Sequence, residues 1–165
     1  MTNKMLRYIL IFFTLLFFNI DCNDNSIESL AYLSVKPVVK VTSNNYDQIT
    51  FRKTFPDTLS LNKISKAYSH SYSEQLRTSL IQYMESEIRR FGEDVVIFDS
   101  LMNITGCKTP GEYILPTYAE KTKYDSKDAW LIQFTYGLGK PVFGRWKCFA
   151  FSIPNLDTLA YIGTK

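Results

Sequence analysis

The 165-residue chain has the composition of a globular protein: 45% of its residues are hydrophobic, 21% are charged and 15% are aromatic. These proportions exclude an intrinsically disordered chain, and the length suits one domain with an ordinary hydrophobic core. A formal net charge of +3 favours neither nucleic acid nor an anionic membrane surface as a partner.

Residues 1–21 have the pattern of an export signal peptide. Lys4 and Arg7 supply positive charge near the start, and residues 8–18 carry no charge at all. This apolar stretch is shorter than the roughly 18 to 20 residues that a bilayer-spanning helix needs. We therefore expect residues 1–21 to be removed on export rather than kept as a permanent anchor.

Cys22 directly follows this signal. Residues 18–22 resemble the lipobox of bacterial lipoproteins, in which the signal is cut and the new N-terminal cysteine carries lipid. Asn19 and Asp21 stand where the usual pattern has a leucine and a small residue. The resemblance implies a lipidated Cys22 and a polar tether over residues 22–29. Several acyl chains would hold the protein firmly at a membrane, since each buried methylene contributes about 0.8 kcal/mol.

Two strands are predicted at the start of a single domain that spans residues 30–165. Residues 35–41 alternate between apolar and polar side chains, and Pro37 places this strand at an edge of the sheet or near the strand's start. Residues 43–47 have turn chemistry. Alternation resumes in residues 49–55, which predicts a second strand that forms a hairpin with the first.

The main helix is predicted over residues 71–91. Ser71 and Glu74 match a capping box at its start, and Gly92 supplies a C-terminal stop. The core-facing stripe of this helix consists of apolar residues four positions apart: Leu76, Leu80, Met84 and Ile88. Residues 95–98 form a short apolar run of strand length, so we expect the helix to lead into a buried strand.

The C-terminal part is predicted to contain a short helix and then a meander. Residues 118–123 are the candidate helix. Alternating patterns predict three antiparallel strands, over residues 130–136, 149–153 and 159–162. The predicted fold class is therefore α+β, with one main helix packed on a mostly antiparallel sheet that ends in a three-strand meander.

The sequence contains no constellation typical of a catalytic, cofactor or metal site. His70 is the only histidine, and its neighbouring serines do not have the arrangement of a catalytic triad, so we expect an exposed position. One histidine and three cysteines give no zinc-type spacing. The glycines of residues 137–144 lie between two predicted strands, which indicates a hairpin turn rather than a phosphate-binding loop.

Cys107 and Cys148 allow two interpretations. In an oxidising compartment they could form a disulfide, which chain entropy would make worth roughly 4 kcal/mol. Alternatively, both are buried free thiols that pack as small apolar residues. Asn103 begins a glycosylation sequon, which has meaning only if the source is eukaryotic.

The order of predicted elements from Gln48 onward is similar to a domain of bacterial envelope proteins. Curli-secretion-type outer-membrane lipoproteins and the amino-terminal domain of the Tol system's B protein are examples. The resemblance lies in residues 73–96 and in residues 128–161. It implies a non-catalytic subunit or adaptor that binds an envelope protein, and it carries over no functional residue.

Three hypotheses about function follow. The first is an exported bacterial lipoprotein of the cell envelope, held at the outer membrane or periplasmic face through Cys22, that acts by protein–protein contact. The second is a soluble periplasmic or secreted enzyme or small-ligand-binding protein. A deep aromatic-lined pocket with a buried carboxylate, or an inward-pointing His70, would favour the second. The third is a eukaryotic secreted protein that is glycosylated at Asn103.

Overall fold

A computed structural model of the chain describes residues 33–164. The predicted signal peptide, Cys22 and the tether over residues 22–29 lie outside the described residues and stay predictions. The described elements are, in chain order, β1 (Val38–Tyr46), α1 (Gln48–Thr54), α2 (Thr58–Tyr68), α3 (Glu74–Arg90), α4 (Val95–Ile104), β2 (Ile114–Tyr124), β3 (Lys127–Tyr136), β4 (Arg145–Ser152) and β5 (Thr158–Gly163). Within the described residues, no helix is long and apolar enough to cross a membrane.

The five strands form one sheet in the order β1-β2-β3-β4-β5. β1 and β2 are parallel, whereas β2 to β5 form an antiparallel meander. The parallel pair requires a long crossover connection, and the four helices supply it. The α+β class is thus confirmed, but the meander contains four strands rather than the predicted three.

Helices cover both faces of this sheet. α3 and α4 pack on one face, where their apolar residues surround Trp130. α1 packs on the other face through Phe51, and α2 joins it there by a hydrogen bond between the side chains of Ser65 and Thr135. The central strand β3 is accordingly buried over residues 129–135. The predicted layer of one main helix on the sheet is therefore only part of the architecture.

α3 is the predicted main helix, with slightly different ends. Its N-cap is Ser73 rather than Ser71, and the Ser73 hydroxyl accepts a hydrogen bond of 3.0 Å from the Leu76 amide. Gly92 follows the helix with a φ of 76°, the left-handed conformation that a glycine stop supplies. The predicted stripe is entirely buried: Leu76, Leu80, Met84 and Ile88.

The segment over residues 49–55 lies mostly in helix α1, so the predicted strand and its hairpin are wrong. Asp47 and Thr50 form a capping box here: the Asp47 carboxylate accepts a hydrogen bond of 2.7 Å from the Thr50 amide, and the Thr50 hydroxyl accepts one of 2.8 Å from the Asp47 amide. The helix turns Phe51 into the core. Local capping therefore outweighs the alternating pattern.

Residues 95–98 begin helix α4 and do not form the predicted strand. Asp94 caps this helix by accepting a hydrogen bond of 2.8 Å from the Val96 amide. The buried residues that follow have helical spacing: Phe98, Leu101 and Met102. Val96 is 71% exposed, although a buried strand would have enclosed it.

Residues 118–123, predicted as a short helix, lie in the middle of strand β2. The polar side chains of Tyr118, Glu120 and Thr122 are buried, and they form hydrogen bonds within the sheet. Thr122 donates one of 2.7 Å to the backbone oxygen of Asn44 in β1. This pairing with β1, which is distant in sequence, makes the segment a strand.

Arg77 provides a test of how the helical layer is held together. Its guanidinium donates hydrogen bonds to the backbone oxygens of Thr109 (2.9 Å) and Glu112 (2.8 Å), and it pairs with Glu74. We predict that Arg77→Met lowers the free energy of unfolding by about 2–4 kcal/mol, because a buried cation and its acceptors lose each other. Equilibrium unfolding in urea measures this change.

Arg89→Met is the matched control on the same helix. Arg89 is 63% exposed and lies 3.8 Å from Glu85, so we expect a loss below about 1 kcal/mol. Equal losses in the two variants would contradict the role assigned to Arg77.

Candidate functional site

A cleft of about 600 Å³ lies between β1 and the chain that joins α1 to α2. Alternate side chains of β1, from Lys40 to Tyr46, line one wall. Residues 52–59, at the end of α1 and the start of α2, line the other. Tyr118 and Glu120 of β2 form the floor. The volume falls in the range of small-molecule binding pockets.

Glu120, at the floor, is completely buried. Four side chains donate hydrogen bonds to its carboxylate: Thr42 (2.5 Å), Tyr118 (2.6 Å), Asn44 (3.1 Å) and Tyr46 (3.3 Å to Oε2). Over residues 33–164, no cation forms an ion pair with it. A buried carboxylate without a paired cation is costly to hold unless donors surround it, so these four donors are what stabilise the charge.

An irregularity in the β1–β2 pairing brings these donors together. Val41 lies opposite Lys121, but Asn45 lies opposite Lys123, so β1 contains two more residues than β2 between these positions. Two of the four donors belong to this extra length of chain. Such bulges commonly redirect side chains beside functional sites. Here the irregularity directs Thr42 and Asn44 toward Glu120.

Gln133 of β3 fixes the opposite wall. Its buried side-chain amide accepts a hydrogen bond of 2.6 Å from the Asp57 amide and donates bonds to the Asp57 backbone oxygen (3.1 Å) and the Thr117 hydroxyl (2.8 Å). Asp57 in turn caps α2. Because a buried polar side chain holds each wall, the cleft is preorganised for binding.

The cleft also has an aromatic lining whose hydroxyls stay protonated. Burial raises the pKa of Tyr118, and the hydrogen bond to Glu120 raises it further. Burial and the charge of Glu120 likewise raise the pKa of Tyr46. The ring of Phe55 makes an edge-on contact with Tyr118, with the ring centroids 5.3 Å apart.

Basic side chains line the outer part of the cleft. Lys40, Arg52 and Lys53 are all exposed there. The Lys40 ammonium lies 5.3 Å from the centroid of the Tyr118 ring, within the range of a cation–π interaction. The cleft therefore combines a negative, buried floor with a positive mouth.

A second cavity, of about 520 Å³, lies beside α3. It is also lined by charged residues, but they pair with one another. Lys108 forms an ion pair with Asp99 and lies 3.9 Å from Glu85, and Arg77 is bonded to Glu74. These charges fasten the α4–β2 connection to α3, so their role is structural.

Cys107 and Cys148 are free and buried, as in the second of the two interpretations and not as in the possible disulfide. The two thiols belong to hydrophobic clusters on opposite faces of the sheet, so the sheet separates them. Burial raises the pKa of the Cys107 thiol to about 12 and also raises the pKa of Cys148. The alternative interpretation, in which both pack as small apolar residues, describes the structure.

The remaining candidate residues lie outside the cleft. His70 is exposed in the turn after α2, and residues 137–144 connect β3 to β4 as the turn prediction required. Asn103 is exposed in the last turn of α4, where its amide donates a hydrogen bond to Asp99, and its glycosylation stays a prediction. Among residues 33–164, no three His, Cys, Asp or Glu side chains are grouped to hold a metal ion.

Sequence reasoning missed the two residues that organise the cleft. Glu120 stands between aromatic and polar neighbours in the segment predicted as a helix, and Gln133 interrupts the apolar pattern of a predicted strand. For Gln133, a polar residue within a mostly apolar strand pattern was the available signal, whereas Glu120 has polar neighbours and gave no such signal. Asn44, which bonds Glu120, and Asp57, which bonds Gln133, each lie more than seventy residues away along the chain. Spacing along the sequence could therefore not identify these partners.

Comparison of the chain with protein-family models, with curated proteins and with solved structures finds no match. The similarity of its predicted elements to an envelope-protein domain therefore stays a prediction. The chemistry of the cleft is the remaining basis for a functional interpretation.

The raised pKa of Tyr118 predicts a loss of stability at high pH. In the unfolded chain this tyrosine ionises near its ordinary value of 10.0, whereas the folded chain keeps it protonated. Its contribution is therefore complete below about pH 10 and is lost as the pH rises toward the folded-state value. We expect the fall in unfolding free energy between about pH 8 and about pH 11 to be smaller in Tyr118→Phe.

Tyr161→Phe serves as the control for this pH dependence. Tyr161 is 52% exposed, so its substitution should leave the fall almost unchanged. Urea unfolding at the two pH values measures both variants, and an unaltered fall in Tyr118→Phe would contradict the assignment.

Proposed function

We propose that this chain is an exported, lipid-tethered protein of the bacterial cell envelope that binds a small polar ligand in the cleft above Glu120. The single observation that carries ligand binding is the cleft itself, which is aromatic-lined and lies over a buried carboxylate. That feature favours a ligand-binding domain over one that acts only through its outer surface. The tether at Cys22 is proposed from the resemblance of residues 18–22 to a lipobox.

The construction of the cleft supports a binding role. A domain that needed only to join β1 to β2 could do so with apolar side chains, which avoid the desolvation cost of a buried carboxylate. Here polar groups from β1, β2 and the α1–α2 connection line one open volume, and Gln133 of β3 holds Asp57 of that lining in place. Preorganised polar groups of this kind are what fix the orientation of a small ligand.

Mass spectrometry of the protein from the membrane fraction of its native host tests both parts. Under denaturing conditions we expect a chain that begins at Cys22 and is heavier by a diacyl or triacyl group. Under native conditions we expect a bound small molecule. Thr54→Trp should abolish the native adduct, because Thr54 is exposed at the edge of the cleft and a bulky ring there would fill it.

Thr78→Trp is the matched control, since Thr78 is an exposed threonine beside the other cavity. It should keep the adduct. A chain cut elsewhere, with Cys22 unmodified, would reject the lipid tether but not ligand binding. If both variants keep the adduct, the cleft is rejected as the binding site.

A second candidate function is an adaptor that acts through protein–protein contact, and strand β5 favours it. Natural sheet edges usually carry charges, proline or bulges that prevent pairing. β1 carries Lys40 and an irregular register, and Pro37 directly precedes it. Residues Thr158–Gly163 also have one irregularity in their pairing with β4, at Leu159, but they carry no charge and no proline. Within the described chain no strand pairs with their outer edge. An extended segment of a partner envelope protein could add a sixth strand there.

Site-specific photo-crosslinking in the native host tests the adaptor. A crosslinker at Tyr161 of β5, which is 52% exposed, should join the protein to one defined partner. A crosslinker at Val41, 39% exposed on the opposite edge strand, should not. The same yield at both positions would indicate incidental proximity and would reject β5 as the docking edge.

A further inference from the structure

The two carboxylates of the cleft are engaged inside the protein. Glu120 is buried and accepts hydrogen bonds from four side chains. Asp57 accepts hydrogen bonds from the backbone amides of Leu59 (3.0 Å) and Ser60 (3.1 Å), which cap α2. Both negative charges therefore have structural partners.

The three basic side chains of the cleft have no such hydrogen-bonded or ion-paired partner among residues 33–164. Within the described residues, Lys40, Arg52 and Lys53 form neither an ion pair nor a hydrogen bond through their charged groups. The Lys40 ammonium lies over the face of the Tyr118 ring. In the cavity beside α3, by contrast, Lys108 is paired with carboxylates. The cleft thus differs from the cavity beside α3, in that its cations have no acidic partner among the described residues.

We infer that the ligand is a small organic anion whose carboxylate or phosphate group is bound by Arg52 and Lys53, with Lys40 completing a positive mouth. This inference rests on the proposed ligand-binding function. The planar guanidinium of an arginine matches both carboxylate and phosphate through paired hydrogen bonds, and a lysine adds a mobile point charge.

The floor determines how such a ligand is oriented. The negative charge of Glu120 repels an acidic group, so the acidic group stays at the mouth. The protonated hydroxyl and the ring of Tyr118, together with the ring of Phe55, offer a surface for an uncharged part of the ligand. A cleft of about 600 Å³ is also larger than a single inorganic anion requires.

NMR titration of the full-length protein with four probes tests the charge of the ligand. Citrate and inorganic phosphate are the anions, glycerol is neutral, and spermidine is a cation. We expect the two anions to shift the backbone amides of residues 40–44 and 52–59, and we expect glycerol and spermidine to leave them unchanged. The tighter of the two anions indicates whether the natural acidic group is a carboxylate or a phosphate.

Two double variants locate the binding charges. Arg52→Gln with Lys53→Gln should weaken citrate binding by about tenfold or more, the usual effect of losing a charged hydrogen bond. Lys63→Gln with Lys66→Gln removes the same net charge from exposed positions of α2 outside the cleft. That pair should change the dissociation constant by less than about twofold, because salt screens distant surface charges.

The outcomes separate this inference from the proposed function. Binding of glycerol or spermidine at the cleft amides, without citrate, would keep a ligand-binding cleft and overturn the anionic class. Equal weakening by the two double variants would show that diffuse surface charge attracts the anion, which also overturns the inference. If none of the probes shifts the cleft amides, the anionic site is rejected, whereas a native adduct lost in Thr54→Trp would still support the cleft.

Discussion

The hydrogen bonds that Glu120 accepts from β1 are the interaction on which the rest of this structure depends. Among residues 33–164, β1 is the strand that precedes the four helices, and its pairing with β2 is the one parallel pairing in the sheet. Three of its side chains donate to that one carboxylate. Helix α1 begins directly after β1, with Asp47 as its cap, so the place where β1 ends decides where α1 lies. α1 in turn carries Arg52 and leads into the far wall of the cleft.

Two other charged side chains among residues 33–164, the buried Arg77 and the half-buried Lys147, clarify what is distinctive about Glu120. Arg77 holds backbone oxygens of the α4–β2 connection. Lys147 donates a hydrogen bond of 3.0 Å to the backbone oxygen of Thr105, at the end of α4, and burial lowers its pKa. Each of these cations donates to carbonyl groups at a helix end or in a loop, where backbone acceptors outnumber backbone donors. Glu120 bonds no such backbone group, and it borders an open cleft. A purely structural role therefore explains the presence of this buried carboxylate less completely than it explains Arg77 and Lys147.

The sequence was informative where a local pattern and the tertiary fold agree. α3 was predictable because its apolar stripe, its N-terminal serines and Gly92 all indicate the same helix. α1 was not, because seven residues are too few for the helical and strand periods to differ clearly, and only the Asp47–Thr50 capping box decides between them. β2 was missed because its polar residues become buried only when the chain returns from the helices and β2 pairs with β1. The cleft was missed for the same reason: its groups meet through pairings between distant segments.

The opposed charges of the cleft bear on selectivity as well as on affinity. Discrimination between ligands depends on what a site repels as much as on what it attracts. A positive mouth alone would accept any polyanion, including nucleic acid, through charge attraction. The Glu120 carboxylate, which accepts hydrogen bonds from four neutral side chains, places negative charge beneath that mouth. A ligand with acidic groups along its whole length would place one of them against this charge. The arrangement therefore favours a molecule that is acidic at one end and uncharged at the other.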